Sequence, residues 1–236
     1  MLLLGIDTST MQTGVRLGSE RGVQASATLA RGQSHVEFLV PAIDFCLSQA
    51  SLTIRDVNGV AVSIGPGLFT GMRVGIATAQ ALAHARGLPA VGLPSLDLLA
   101  FAARPSARLV YGVLDARRGE LFWASYRHGP DGMRRLTGFR VGPAERLAGE
   151  IEARAEDVVC VGDGALAHAT LLGSVGAEVG PAAVAHPGGE SLAQLARPRF
   201  AGGETHAPED LRPVYVRQPD ARINWRNRGA LLGGVR

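Results

Sequence analysis

The chain contains no lysine: all 24 of its Lys+Arg residues are arginine, set against 21 acidic residues for a net charge of +3. Without a lysine amine, neither Schiff-base chemistry nor a lysine nucleophile can operate on this chain. The Walker A loop, whose Gly-Lys-Ser/Thr ending carries a lysine to the phosphates, is excluded as well. Cysteine is nearly as scarce. Cys46 and Cys160 fall in a helix-like and a strand-like run, and read as core residues in a reducing compartment rather than a disulfide framework. No apolar run reaches the ~20 residues of a membrane span. Met1–Ile6 is apolar but short, has no basic lead and runs into Asp7, so it reads as a buried strand rather than a signal peptide. None of the histidines has a partner at metal-ligand spacing, and no Gly-x-Ser-x-Gly elbow occurs. His35 and His84 read as helix-surface or cap residues. A charge of +3 over 236 residues is too small to argue nucleic-acid binding alone.

What the chain has is glycine, 31 residues, and a hydrophobic content of 46%, enough for a sizeable core. The sequence is organised around Ser63–Gly75, SIGPGLFTGMRVG. A strand-like run over Val57–Ser63 enters it and a helix-like run over Met72–Arg86 leaves it. Gly65, Pro66, Gly67 and Gly71 make the connection tight and allow another group to come close. Thr70 is placed to cap the helix, and the free N–H groups there could receive an anion. The spacing of Gly65, Gly67 and Gly71 is one residue too wide for a dinucleotide fingerprint. Two readings stand side by side: a structural turn packing a helix onto a sheet, and a ligand-approach corner.

The rest of the chain reads as one α/β unit occurring twice. Leu2–Asp7, Thr13–Gly18 and Val23–Leu29 are strands with short, antiparallel connections. A helix over Ser34–Ala50 follows, with Ser34 and Glu37 as a capping box and Pro41 as a kink. Its apolar residues spread over more than one side, which suggests a second contact surface or a covering loop. Val57–Ser63, Met72–Arg86, the strand Pro89–Pro94 and a helix over Ser95–Ala103 capped by Ser95 complete the first copy. After Pro105 the order restarts with strands at Leu109–Asp115, Glu120–Tyr126 and Met133–Val141. Then come a helix at Pro143–Ala153, a strand at Val158–Gly162 and a helix at Ala165–Leu172. A last helix is expected over Glu190–Phe200. Pro213–Arg217 reads as a short ordered segment, and the arginine-rich stretch beyond it, with Trp225, as a mobile tail. The expected divisions are 1–104, 105–217 and a basic tail, 218–236. Asp7 and Asp115 end the first strand of each copy, where such a sheet opens toward a ligand crevice. Asp7, Ser9 and Asp115 are therefore candidates to meet nucleotide or Mg²⁺. The alternative is a turn-forming Asp bonded to its own backbone.

GIDTSTMQTGVRL at Gly5–Leu17, QSHVEFLVPAI at Gln33–Ile43, SIGPGLFTGMRVGIATAQALA at Ser63–Ala83, LDARRGELFWASY at Leu114–Tyr126 and PVYVR at Pro213–Arg217 resemble the TsaB (YeaZ-type) family, in order over nearly the whole chain. The resemblance implies a duplicated actin-like, Hsp70-like ATPase (ribonuclease H-like) fold, with mixed sheets flanked by helices. It further implies a cytoplasmic, non-catalytic partner of TsaD and TsaE, which together place threonylcarbamoyl on adenosine 37 of tRNAs reading codons that begin with A. In this picture ATP/ADP and the metal belong to the partners, this chain holds no cofactor, and tRNA is reached through the complex. TsaD carries two metal-binding histidines where this chain has Ser95 and Leu99, and leucine cannot ligate a metal. The resemblance places the TsaD contact, and a homodimer contact in its absence, on the two early helices, at Val36, Leu39, Val40, Ile43, Leu47, Phe69, Arg73, Ile76 and Gln80. Val36→Asp or Ile43→Asp is then expected to weaken TsaD binding without unfolding the chain. Two other functions stay open: an autonomous nucleotide hydrolase or TsaD-like metallo-glycoprotease of the same fold, and a tRNA-binding module using the tail, where five of the last twenty residues are arginine.

Overall fold

The structure is a computed structural model that describes residues 1–30, 35–130 and 132–217. The expected cap at Ser34 and the arginine-rich tail with Trp225 lie outside the described residues. The first five-stranded sheet comprises β1 (Leu3–Asp7), β2 (Thr13–Ser19), β3 (Gly22–Leu29), β4 (Gly59–Gly65) and β5 (Ala90–Pro94), in the order β3-β2-β1-β4-β5. β1–β2 and β2–β3 pair antiparallel; β1–β4 and β4–β5 pair parallel through helical crossovers. Helices α1 (His35–Gln49) and α2 (Phe69–Arg86) supply those crossovers, and α3 (Ser95–Ala102) follows β5.

The second sheet repeats the plan. It contains β6 (Leu109–Arg117), β7 (Glu120–Gly129), β8 (Gly132–Arg135), β9 (Arg140–Pro143), β10 (Val158–Val161) and β11 (Ala177–Val179). Its order is β11-β10-β6-β7-β8, with β9 also on β7. Reversed, this is the first sheet's order with β9 added, so the α/β unit is duplicated, each copy a mixed sheet flanked by helices. Helices α4 (Ala144–Glu152), α5 (Asp163–Ala167) and α6 (Ala169–Ser174) serve this sheet, and α7 (Gly189–Ala201) closes the fold.

Five local expectations need correction. The strand expected over Met133–Val141 is two strands, because the chain leaves β8 at Leu136 and rejoins β7 through β9; Leu136 N–H still donates to Ser125 O at 2.7 Å in between. The helix expected over Ala165–Leu172 breaks at His168 into α5 and α6. β11 adds a strand in the Gly- and Ala-rich stretch after α6. Thr70 and Ser95 are not caps: α2 begins at Phe69 after Leu68, α3 begins after Pro94, and neither end has a side-chain cap bond. His35 is buried rather than on a helix surface.

Alternation along the central strands sets the layers. On β1, Leu4 and Ile6 join the core beneath α1 and α2, while Leu3 faces α7 and α3. On β6, Leu109, Tyr111 and Val113 face α4 to α6, while Val110 and Leu114 face α3. Helix α3 thus lies between the sheets, with Leu98 in one core and Leu96 and Leu99 in the other. Cys46 and Cys160 are free and fully buried, as core residues.

Candidate functional site

The Gly-rich corner is occupied by the chain itself. Gly65 takes φ +95°, a conformation for which glycine is suited. A Cβ on Gly67 would lie 2.1 Å from Ser9 O, and one on Gly71 2.2 Å from Thr8 O. Leu68 N–H donates to Ser9 O at 2.7 Å, and Thr8 Oγ1 donates to Gly71 O at 2.7 Å. What approaches the corner is the backbone of the turn after β1. The same contact recurs in the second half, where Gly162 and Gly164 press on Val113, Leu114 and Asp115 at the end of β6.

Asp7 sits under this corner. Its Oδ1 accepts from the Ser9 N–H at 3.1 Å and the Ser9 hydroxyl at 2.7 Å, which is an Asp-centred turn. Burial pushes the Asp7 carboxyl above its ordinary range, and the Ser9 donors pull it part of the way back. Asp115 is engaged in the same local way, accepting from Arg117 N–H at 2.7 Å. The residue composition misses is Asp163. Its Oδ1 accepts from Asp115 N–H at 3.0 Å, and burial raises its carboxyl. The signal for it is Gly162-Asp163-Gly164 after β10, at the position that Gly65-Pro66-Gly67 holds after β4. His186 Nδ1 stands 3.9 Å from Asp163 Oδ2.

Ser9, Asp115 and Asp163 line a cavity of about 10 Å³ between the two halves, with Leu68, Leu114 and Arg117. That volume admits about one water molecule. The residues do not fit a bound nucleotide in this geometry: the corner's glycines and the Leu68 N–H are engaged by Thr8 and Ser9. Ser95 and Leu99 are likewise committed to structure. The Ser95 hydroxyl donates to Pro66 O, and Leu99 is fully buried in the core under α3. Among the described residues, no group of three or more His, Cys, Asp or Glu is placed to hold a metal.

The two early helices divide by burial. Leu39, Ile43 and Leu47 of α1 and Ile76 of α2 are packed in their own core, Ile43 at 6% exposure. Val36 and Val40 stand open at 68% and 64%, with Phe45 half-exposed beyond them. The α1 residues at 36/40 and those at 39/43 are not a single stripe: the first pair faces solvent and the second the sheet. At the start of α2, Arg73 lies over the exposed Phe69 ring, 3.8 Å from its centroid, and its Nε donates to the Tyr215 hydroxyl at 2.9 Å. Phe69 and Tyr215 rings are 5.5 Å apart. Gln80 Nε2 donates to Leu211 O, and Val214 N–H donates to Ile64 O. The PVYVR segment is therefore a strap along α2, and it ends in an Arg217–Glu120 ion pair to the second sheet. His35, hydrogen-bonded to Thr13, packs over Gly71 and brings the first turns of α1 and α2 together.

Residues 28–225 match the model of the family TsaD: tRNA N6-adenosine threonylcarbamoyltransferase. The chain is similar to the tRNA threonylcarbamoyladenosine biosynthesis protein TsaB of Escherichia coli K12, at 31% identity over 96% of this chain and 97% of that protein. It is also similar to the Bacillus subtilis 168 protein of the same name, at 29% identity over 95% and 98%. Among solved structures it resembles YeaZ from Pseudomonas aeruginosa, with a TM-score of 0.79 and 30% identity over 91% of this chain and 99% of that one.

Proposed function

The chain belongs to the TsaB family, within the wider family that the TsaD model describes, and on that premise we propose that it is a non-catalytic subunit in the biosynthesis of threonylcarbamoyladenosine in tRNA. It works in the cytoplasm, docking on TsaD and holding TsaD in its active shape, with TsaE as the third component. The observation that carries this reading is the open apolar surface of Val36 and Val40 beside the Phe69–Arg73–Tyr215 stack. Exposed apolar side chains grouped with an aromatic and an arginine are the usual makings of a protein contact. Leu39, Ile43, Leu47 and Ile76 support that surface from beneath rather than touching a partner. The same surface pairs two copies of the chain when TsaD is absent. The packed corner over Asp7 and the small inter-lobe cavity favour this reading over an autonomous hydrolase.

Reconstitution tests the proposal. TsaD, TsaE, tRNA and the substrates are combined with and without this chain, and modified adenosine is measured. Strong stimulation by the chain, lost when Val36 and Val40 are both changed to Asp, is the expected result. Full modification without the chain, or ATP turnover by the chain alone, would overturn it.

A further inference from the structure

A second cavity, of about 110 Å³, lies where α3, α7 and the β7–β8 hairpin meet. Its apolar wall is Leu93, Phe101, Met133 and Leu195; its polar groups include Asp97 and Arg199. Asp97 Oδ1 is already engaged, accepting from the Tyr126 hydroxyl at 2.8 Å and from Arg135 Nη1 at 3.3 Å. Arg135 is itself held over the Phe139 ring, 4.1 Å from its centroid. Both of these bonds go to one oxygen. Asp97 Oδ2 accepts no hydrogen bond among the described residues, and the side chain keeps 25% of its surface open. The Arg199 guanidinium makes no side-chain hydrogen bond or ion pair among the described residues, although its charge is felt at Asp97.

An unengaged carboxylate oxygen and an unengaged guanidinium beside an apolar wall match a small molecule carrying both charges. An ammonium group would pair with the carboxylate, and a carboxylate with the planar guanidinium fork. An apolar cavity of 150 Å³ accepts benzene, so 110 Å³ suits a molecule of roughly five to eight non-hydrogen atoms. We propose that this cavity binds a small α-amino acid with an apolar side chain, its ammonium on Asp97 Oδ2, its carboxylate on Arg199 and its side chain against Leu93, Phe101, Met133 and Leu195. Helix α7 packs on the first sheet and β7–β8 belong to the second, so the ligand would touch both halves of the molecule. This site is separate from the docking surface and does not depend on the role proposed for it.

The test titrates the full chain with L-valine and L-alanine, following the Met133 and Leu195 methyl resonances and the melting temperature. Isovalerate, which lacks the amine, and isobutylamine, which lacks the carboxylate, serve as controls. Saturable shifts with an amino acid are expected, with at least tenfold weaker binding of both controls and of the Arg199→Gln variant. Arg199 makes no structural bond that this variant would break, and circular dichroism verifies its fold. Asp97→Asn should lose preference for the amine while still binding isovalerate weakly. The proposal is overturned by the absence of saturable shifts with either amino acid, by equal binding of isovalerate, which would mark a plain anion site, or by unchanged affinity in Arg199→Gln.

Discussion

Asp7 ends β1 and is engaged by its own turn. Its position at the end of β1 is readable from sequence, and so is the competing possibility of an Asp-centred turn. The choice between them depends on Ser9, whose hydroxyl and N–H both turn back to Oδ1. Burial raises the carboxyl, so the folded chain keeps a proton that the unfolded chain releases between the two pKa values. Stability therefore falls as pH rises through that interval, and above it the ionised Asp7 remains a cost. Asp7→Asn keeps an acceptor for Ser9 and removes the charge. Calorimetry should show the variant melting higher than the parent at neutral pH, with the advantage shrinking as pH falls toward the ordinary carboxylate range. Gly67 gives the opposite result. A methyl there meets the Ser9 carbonyl at 2.1 Å, and the atom it meets is backbone, with no flexible side chain to yield. Gly67→Ala should lose about 1–3 kcal/mol, read as a lower urea midpoint at constant slope.

At the scale of the element, the sequence locates helices and strands better than it locates their faces. The apolar excess of α1 is legible, but Val36 and Val40 group with Ile43 and Leu47 by spacing alone, and only the packing on β2 and β3 separates them. The expectation that Ile43→Asp leaves the fold intact is therefore revised. It places a charge in the core and should cost about 3 kcal/mol or more, whereas Val36→Asp should stay within about 0.5 kcal/mol of the parent. Thermal unfolding of the two variants, set beside pull-down with TsaD, separates a folding defect from a docking defect. Element ends fail for a related reason. Thr70 and Ser95 have the chemistry of caps, yet Ser95 bonds the Pro66 carbonyl and α2 starts ahead of Thr70, because tertiary contacts with the β1 turn overrule the local preference.

At the scale of the whole molecule, the duplication is legible because each half repeats its own short-range order of strands and helices. The crossing of the halves is not. Helix α7 returns to the first sheet from nearly a hundred residues beyond β5, and α3 divides its side chains between two cores; no local pattern records either contact. Asp163 and the amino-acid-sized cavity arise from the same long-range meeting. With Thr8 and Ser9 filling the corner, millimolar Mg-ATP should leave the melting temperature unchanged. A ligand at a hundred times its Kd would add about 2.7 kcal/mol, so a rise of several degrees would show that the halves open to admit nucleotide.

The strap over α2 also imposes an order in time. Translation delivers α1 and α2 long before Tyr215, so a nascent chain halted at residue 210 holds both helices while Arg73 lacks its phenol partner. The aromatic stack is completed only once Tyr215 has left the ribosome, so the finished contact surface comes well after the helices that carry most of it.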